Sequence, residues 1–271
     1  MIKLSRSTYY YRKKEKQDAR ADELLLKAIH KIIEEFPRYG YRRVTKQLHR
    51  DGTQVNHKRI YRLMKKHKLL CKQRRKFKVY TTDSNHDYPI YPNLVGGMTI
   101  TRINQVWVAD LTYIRIKTCF VYLAVILDAF SRKVIGYALS QRIDRALSLA
   151  ALKMAISNRK PPEGCIHHSD RGVQYACYDY INELRDNKFQ ISMSQKGNPY
   201  DNAIAESFMK TLKYDEVYLS EYDTFDDVVE NVFGFIEDVY NAKRLHSSIG
   251  YMPPNEFEQG LDGSSCQKKT G

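Results

Sequence analysis

The sequence predicts an α/β fold, a mixed sheet flanked by helices, preceded by a small all-α unit of helix-turn-helix layout. Three observations carry this expectation. Apolar residues recur at helical spacing up to His67; three β-rich runs follow from Gln105 with only short polar breaks between them; and from Asp144 onward helical and strand-like segments alternate.

Asp22 to Phe36 places Leu25, Ile29, Ile32, Ile33 and Phe36 on one helical face, and Pro37 stops the run. A second short helix puts Val44 and Leu48 inward and ends at Asp51-Gly52. Asn56 then supplies an N-cap for a third helix, with Ile60, Leu63, Met64 and His67 on one face. Its remaining surface carries Lys58, Arg59, Arg62, Lys65 and Lys66, as expected of a recognition helix entering a DNA groove. A basic bundle that merely packs on another domain would show the same pattern. Lys72 to Lys78 extends the basic run, and Tyr80 to Leu94, with Pro89 and Pro92, reads as an extended linker.

Gln105 to Ile116, Cys119 to Leu127 and Lys133 to Leu139 predict an antiparallel meander. Beyond it, Asp144 to Ser157 reads as a helix, Cys165 to His168 as a strand, Tyr178 to Asn187 as a helix, Gln190 to Ser194 as a strand and Asp201 to Tyr214 as a helix. Residues 262–271 have the composition of a disordered tail.

The 271 residues suffice for two domains. Positions 1–80 hold 25 Lys and Arg against 7 Asp and Glu, a net of +18, so the rest of the chain sums to −4. Charge segregated in this way marks a polyanion partner, with nucleic acid first; a merely solvated basic face is the plain alternative. Five cysteines without close pairs suit free thiols in a reducing cytosol. The start lacks the apolar stretch of a secretory signal, and the longest apolar run, Cys119 to Leu127, is too short for a bilayer, so no membrane role is expected.

Three acids stand where burial costs most or a turn would present them. Asp110 lies among Trp107, Val108, Ala109 and Leu111; Asp170 follows Ile166-His-His-Ser and precedes Arg171-Gly172; Glu206 lies one to two turns into the last core helix. Carboxylates from a strand centre, a strand end and a helix can converge on one rim of a sheet, and carboxylate oxygen is the ligand that Mg²⁺ prefers. Spacing alone leaves open a capping Asp, a turn Asp and a surface Glu.

The surrounding motifs narrow this. Trp107-Val-Ala-Asp-Leu-Thr-Tyr, His168-Ser-Asp-Arg-Gly-Val-Gln-Tyr and Lys196-Gly-Asn-Pro-Tyr-Asp-Asn-Ala-Ile-Ala-Glu-Ser-Phe closely resemble the signature blocks of insertion-sequence transposases of the IS-three family. Thirty-five residues separate Asp170 from Glu206, the spacing of that family and of retroviral integrases. Tyr39-Gly-Tyr-Arg-Arg-Val, Val55 to Met64 and Tyr240 to Pro254 resemble its basic and C-terminal blocks, so the likeness covers most of residues 20–257.

The resemblance implies an RNase H-like integrase core with Asp110, Asp170 and Glu206 as the catalytic, metal-binding triad, holding two Mg²⁺ ions that Mn²⁺ can replace. It implies 3′-end cleavage followed by strand transfer, with no covalent protein–DNA bond. The expected partners are transposon terminal inverted repeats and target DNA, with a multimer on DNA at the nucleoid. An upstream-frame DNA-binding protein, joined by frameshift fusion or as a complex, is also expected. The implied division is a basic arm (1–20), a helix-turn-helix-like domain (21–80), a linker (81–101), a catalytic core (102–219), a C-terminal helical extension (220–261) and a tail (262–271).

Lys210 and Lys213, four and seven positions after Glu206, are expected on its helix face as phosphate contacts, against a reading as solvated lysines. Asn198, Asp201 and Asn202 suit the helix start, with capping by Asn198 or Asp201 the simplest role. Cys165, His167 and His168 lack a second ligand pair for zinc. Asp128 rivals the triad because it too follows an apolar strand, although the family pattern favours a turn or capping role for it, with Ser131 and Arg132 next in line; Trp107 suits the core. Two other functions remain open on residues alone: a DNA-binding repressor without catalysis, and a nuclease that hydrolyses without joining strands.

Overall fold

A computed structural model describes the backbone of residues 5–71, 88–117, 119–195 and 202–266, and the side chains of these except 6–19 and 262–266. The Lys72–Lys78 run, most of the expected linker's first half, Asn198, Asp201 and the end of the tail lie outside the described residues. The chain forms two compact units, residues 1–76 and 77–271.

The first unit contains α1 (Arg6–Glu35), α2 (Tyr41–Arg50) and α3 (His57–Lys66). Helix α1 starts well before Asp22, because residues 12–20 are rich in Lys, Arg, Glu, Gln and Ala, which favour helix without an apolar stripe. Leu25, Ile29 and Ile32 of α1, Val44 and Leu48 of α2, and Ile60, Leu63 and Met64 of α3 form the buried face. Gly52 takes φ +84° after α2, a conformation that favours glycine, and the Asn56 side chain accepts from the Lys58 amide, capping α3. His67 departs from expectation. It is the exposed C-cap of α3 and points outward where the chain turns into Lys68, whose φ is +56°.

The second unit is built on a five-stranded sheet of β1 (Val106–Arg115), β2 (Phe120–Asp128), β3 (Val134–Ser140), β4 (Ile166–Ser169) and β5 (Gln190–Met193), in the order β3-β2-β1-β4-β5. The first three strands form the expected antiparallel meander; β4 and β5 join in parallel through crossovers made by α4 (Arg145–Arg159), α5 (Val173–Ala176) and α6 (Tyr178–Asp186). The sheet is therefore mixed.

Because side chains alternate across a strand, β1 feeds two cores. Val106, Val108 and Ile114 pack with Val121, Leu123 and Val125 of β2 against α7 (Ala203–Leu212) and α8 (Phe225–Gly234), through Ala205, Phe208, Leu212, Val228 and Val232. On the other face Trp107 and Ala109 meet Leu152 and Ala155 of α4 and Tyr180 and Leu184 of α6. Trp107 is fully buried, its Nε1 donating to the Asn104 side chain at 3.1 Å. Residues 92–94 lie along β5: the Met193 amide donates to the Pro92 carbonyl and the Leu94 amide to Ser192 Oγ.

Candidate active site

Val106, Trp107 and Val108 of β1 pair with Ile166, His167 and His168 of β4. Asp110 and Asp170 each stand two residues beyond the last of these pairs, Asp110 within β1 and Asp170 one residue past the end of β4. Beyond Val108, β1 loses its β4 neighbour and its edge opens, which is where a sheet of this kind leaves room for a ligand. Asp110 is half-buried there, and its Oδ1 accepts from the Leu111 amide at 2.8 Å.

Asp170 is held by the turn that follows. Its Oδ1 accepts from the Gly172 amide at 2.9 Å, and Arg171 Nε donates to the Ser194 carbonyl just past β5, pinning the turn to the sheet. A Cβ at Gly172 would lie 3.0 Å from Asp170 Oδ1 and 2.9 Å from Gln174 Oε1, so the turn leaves no room for a side chain.

Glu206 lies in the first turn of α7, nearer the helix start than expected, because α7 begins at Ala203 with Asn202 as its N-cap. A carboxylate there is favoured by the helix dipole. Ala205, Phe208, Met209 and Leu212 anchor α7 in the core and leave Glu206 exposed. Asn202 makes no side-chain cap; its buried Nδ2 donates 3.1 Å to the Ala109 carbonyl, fastening the start of α7 to the residue before Asp110.

Asp110 senses the other two carboxylates. Burial pushes the Asp110 carboxyl from 3.8 up to about 7, the Asp170 and Glu206 charges add to the rise, and the Leu111 amide and Lys213 oppose it. Among the described residues no three His, Cys, Asp or Glu side chains are drawn tightly enough to make a ready metal cage. An all-oxygen donor set of accumulated negative charge, one member of which resists ionising, nonetheless fits a hard divalent cation.

Lys210 is exposed on α7. Lys213 opens a π-helical turn, Lys213–Val217, that replaces the expected last turn of the helix; its Nζ sits 4.2 Å from the centre of the Tyr113 ring. Burial lowers the Lys213 pKa, and the charge of Asp110 works against that lowering.

Asp128 is not part of this group. It is fully buried, and its carboxylate accepts from the amides of Asn104, Phe130 and Ser131, tying the β2–β3 turn to the chain before β1. His167 Nε2 pairs with the Tyr180 hydroxyl and His168 Nδ1 with Ser192 Oγ, both in the core.

In the N-terminal unit, Lys58, Arg62 and Lys65 are exposed on α3. Arg59 is half-buried and held by Asp22 of α1, with Nε 2.7 Å and Nη2 2.6 Å from Oδ1; Arg62 lies 3.6 Å from the other oxygen of Asp22. Sequence reasoning missed this pin, the Asn202 tie and the Tyr113 contact. Each joins residues far apart in the chain; only the Gly after Asp170-Arg171 gave a local signal of its tight turn.

Comparison with known proteins places these features in a family. Residues 100–199 match the family described as integrase core domain, 187–254 match a second integrase core domain family, and 19–77 match an HTH-like domain. A 31 kDa protein of insertion element IS600 from Shigella sonnei is 40% identical, over 94% of this chain and 95% of its own. The transposase of IS904 from Lactococcus lactis is 39% identical over 88% and 94%. Transposase InsF of IS3A from Escherichia coli is 37% identical over 82% and 77%.

Proposed function

This chain belongs to the integrase-core transposases of IS3-type insertion sequences, and from that premise we propose that Asp110, Asp170 and Glu206 form the centre at which it cuts and joins DNA strands. The observation that carries the reading is the placement of Asp110 in β1 and of Asp170 just past the end of the adjacent parallel β4, with the charges of Asp170 and Glu206 both reaching Asp110.

The three carboxylates would hold two Mg²⁺ ions, or Mn²⁺ in their place. Bound there, such ions lower the cost of negative charge on the attacking and leaving oxygens of a phosphoryl displacement. The chain's own residues prepare for this by geometry. The Gly172 amide and the Asn202 tie hold Asp170 and the approach to Glu206 against β1, and Lys213 sets a positive charge beside Asp110 for a substrate phosphate. In cleavage, water oxygen bonds to phosphorus and the bond to the transposon 3′ oxygen breaks, leaving a 3′-OH. In transfer, that 3′ oxygen bonds to a target phosphorus while the target's own 3′ oxygen leaves. One ester replaces another, so no external energy source is required and no protein–DNA bond forms.

In the division proposed above, the 21–80 domain grips the terminal inverted repeats, Lys58, Arg62 and Lys65 meeting phosphates and Arg59 chiefly holding α3 to α1. Lys210 would serve the same purpose along the core. Two ends must meet for transposition, so the active species is a multimer on DNA, joined to an upstream-frame DNA-binding protein and acting at the nucleoid in the bacterial cytoplasm. Among the described residues no helix is long and apolar enough to cross a membrane.

Strand transfer on labelled element ends, with Mg²⁺ or Mn²⁺ and the upstream protein supplied as a fusion, tests this reading. Joined product from the wild type that vanishes in Glu206→Gln is the expected result. Cleavage that never proceeds to joining would indicate a nuclease, and metal-independent binding alone would indicate a repressor.

A further inference from the structure

Beside the carboxylates lies a surface that neither the chemistry above nor the core requires. Tyr113 of β1 carries the Lys213 ammonium on one ring face at 4.2 Å and meets Phe120 edge-on at 5.5 Å. The π-helical turn sends Tyr214 and Tyr218 to the same neighbourhood, with ring centres 5.5 Å apart. Burial and then the nearby phenols of Tyr113 and Tyr214 raise the Tyr218 pKa, which puts the three hydroxyls close together. Phe120 and Tyr218 are nevertheless 43% and 37% exposed.

We propose that Tyr113, Phe120, Tyr214 and Tyr218 form a stacking platform for an unpaired nucleobase of the DNA end, with Lys213 taking the phosphate next to it. This rests on the reading of the neighbouring carboxylates as a strand-transfer centre. Four observations favour a base over a protein partner. Three of the four rings are tyrosines, whose apolar faces and polar rims suit a wet, stacked ligand better than a dry protein interface. A cation sits within the patch, as an alternation of base and phosphate requires. Tyr113 is three residues from Asp110 on β1, an odd offset that turns the two side chains to opposite faces of the strand, and Lys213 links them, its ammonium over the Tyr113 ring while it feels the charge of Asp110. Through Lys213 the patch adjoins the carboxylate site, within reach of a strand presented there. Finally, the π-helical turn, closed by the Tyr218 amide donating to the Lys213 carbonyl, sets Lys213 and Tyr218 on one face as a straight α-helix would not, and such turns concentrate at functional sites.

Stacking on neighbouring pairs covers both faces of a duplex base except at its ends, so the platform recognises a frayed or splayed terminal nucleotide. Stacking is tolerant of sequence, so it senses the end as an end.

The test uses the full chain, supplied as its active fusion, and element-end DNA carrying 2-aminopurine at each of the last three positions in turn. Binding by the wild type should change fluorescence at one position. Tyr218→Ala should lose that change and weaken end binding about tenfold, while Tyr218→Phe keeps both. With an abasic site at the same position, Tyr218→Ala and wild type should bind alike, since the partner of the ring is gone. An equal loss on normal and abasic DNA would overturn the platform, as would no loss at all, or a shift in the oligomeric state of the DNA-free protein that marks the patch as a contact between copies. Wild-type strand transfer is scored in parallel. If ends are joined while coupling is absent, only the platform falls; if ends are never joined, the transposase reading falls and the platform with it.

Discussion

Asp110 lies in β1 and Asp170 one residue past the end of β4, each two residues beyond the Val108–His168 pair, so the register of the two strands and the turn after β4 together bring the carboxylates near each other. Burial raises the Asp110 pKa most, and the charge of Asp170 adds to the rise.

That consequence is measurable as stability. The folded carboxyl of Asp110 releases its proton at about 7 and the unfolded one at 3.8, so between these values the folded state holds the extra proton. The contribution of Asp110 to the stability of metal-free protein is therefore fully present below pH 4 and is lost as pH rises through about 7. Asp110→Asn should raise the unfolding free energy at pH 7.5 by about 1–2 kcal/mol, less than the full shift because the site is partly solvated. It should change little at pH 4. Millimolar Mg²⁺ should stabilise the wild type and not the variant. Denaturant titrations at the two pH values decide this; an Asn variant that is no more stable at pH 7.5 contradicts it.

Gly172 controls where the Asp170 carboxylate points. Its φ of −67° is open to any residue, so Gly172→Ala costs nothing in the backbone, but the new Cβ would stand 3.0 Å from Asp170 Oδ1. Shifting that carboxylate by a few tenths of an ångström up to 1 Å should cut strand transfer by about 100-fold, with thermal unfolding nearly unchanged. Assay and melting curve together check this, and an active Ala variant would show that the turn tolerates the methyl.

Much of this was legible beforehand, and the residues show why. The β1 to β3 meander announced itself by continuous apolar runs, and Asp110 by being an acid inside one of them. Asp128 shared that second signal; the family pattern already favoured a turn role for it, and its three backbone amide partners bear that out. The π-helical turns at Lys213–Val217 and Phe235–Asn241 continue ordinary helical periodicity and left no mark. Asn241 is an instance: its side chain both donates to and accepts from the Val134 backbone, a tie across 107 residues. The inward placement of His67 failed because the helix ends there, and periodicity does not register a cap.

Gly136 tests the packing of α4 on the sheet. A Cβ at this position of β3 would fall 2.3 Å from the Ala151 carbonyl and 2.8 Å from the Ala155 amide, both backbone atoms of α4. Backbone cannot step aside as a side chain can, so Gly136→Ala must push the helix off the sheet. A loss of about 3 kcal/mol or more is expected, read by urea unfolding, with expression of soluble protein falling accordingly. Unfolding within 1 kcal/mol of wild type would mean that α4 sits farther from β3 than described.

Asp22 sets stability against DNA affinity in the N-terminal unit. Its carboxylate holds Arg59 in a close pair and Arg62 at 3.6 Å, joining α1 to α3 and neutralising part of the basic surface. Asp22→Asn removes one negative charge and releases both guanidinium groups toward solvent. The partly exposed pair contributes about 1 kcal/mol at most to the fold of the unit, so the melting temperature should drop slightly. Binding to duplex DNA should strengthen at low salt, and the slope of log K against log salt should steepen by close to one as another phosphate contact forms. Lys58→Ala and Lys65→Ala should each move the slope the other way. An Asp22→Asn slope equal to that of wild type, beside a shallower slope for Lys58→Ala, would show that Arg59 stays packed between α1 and α3 even without its carboxylate partner.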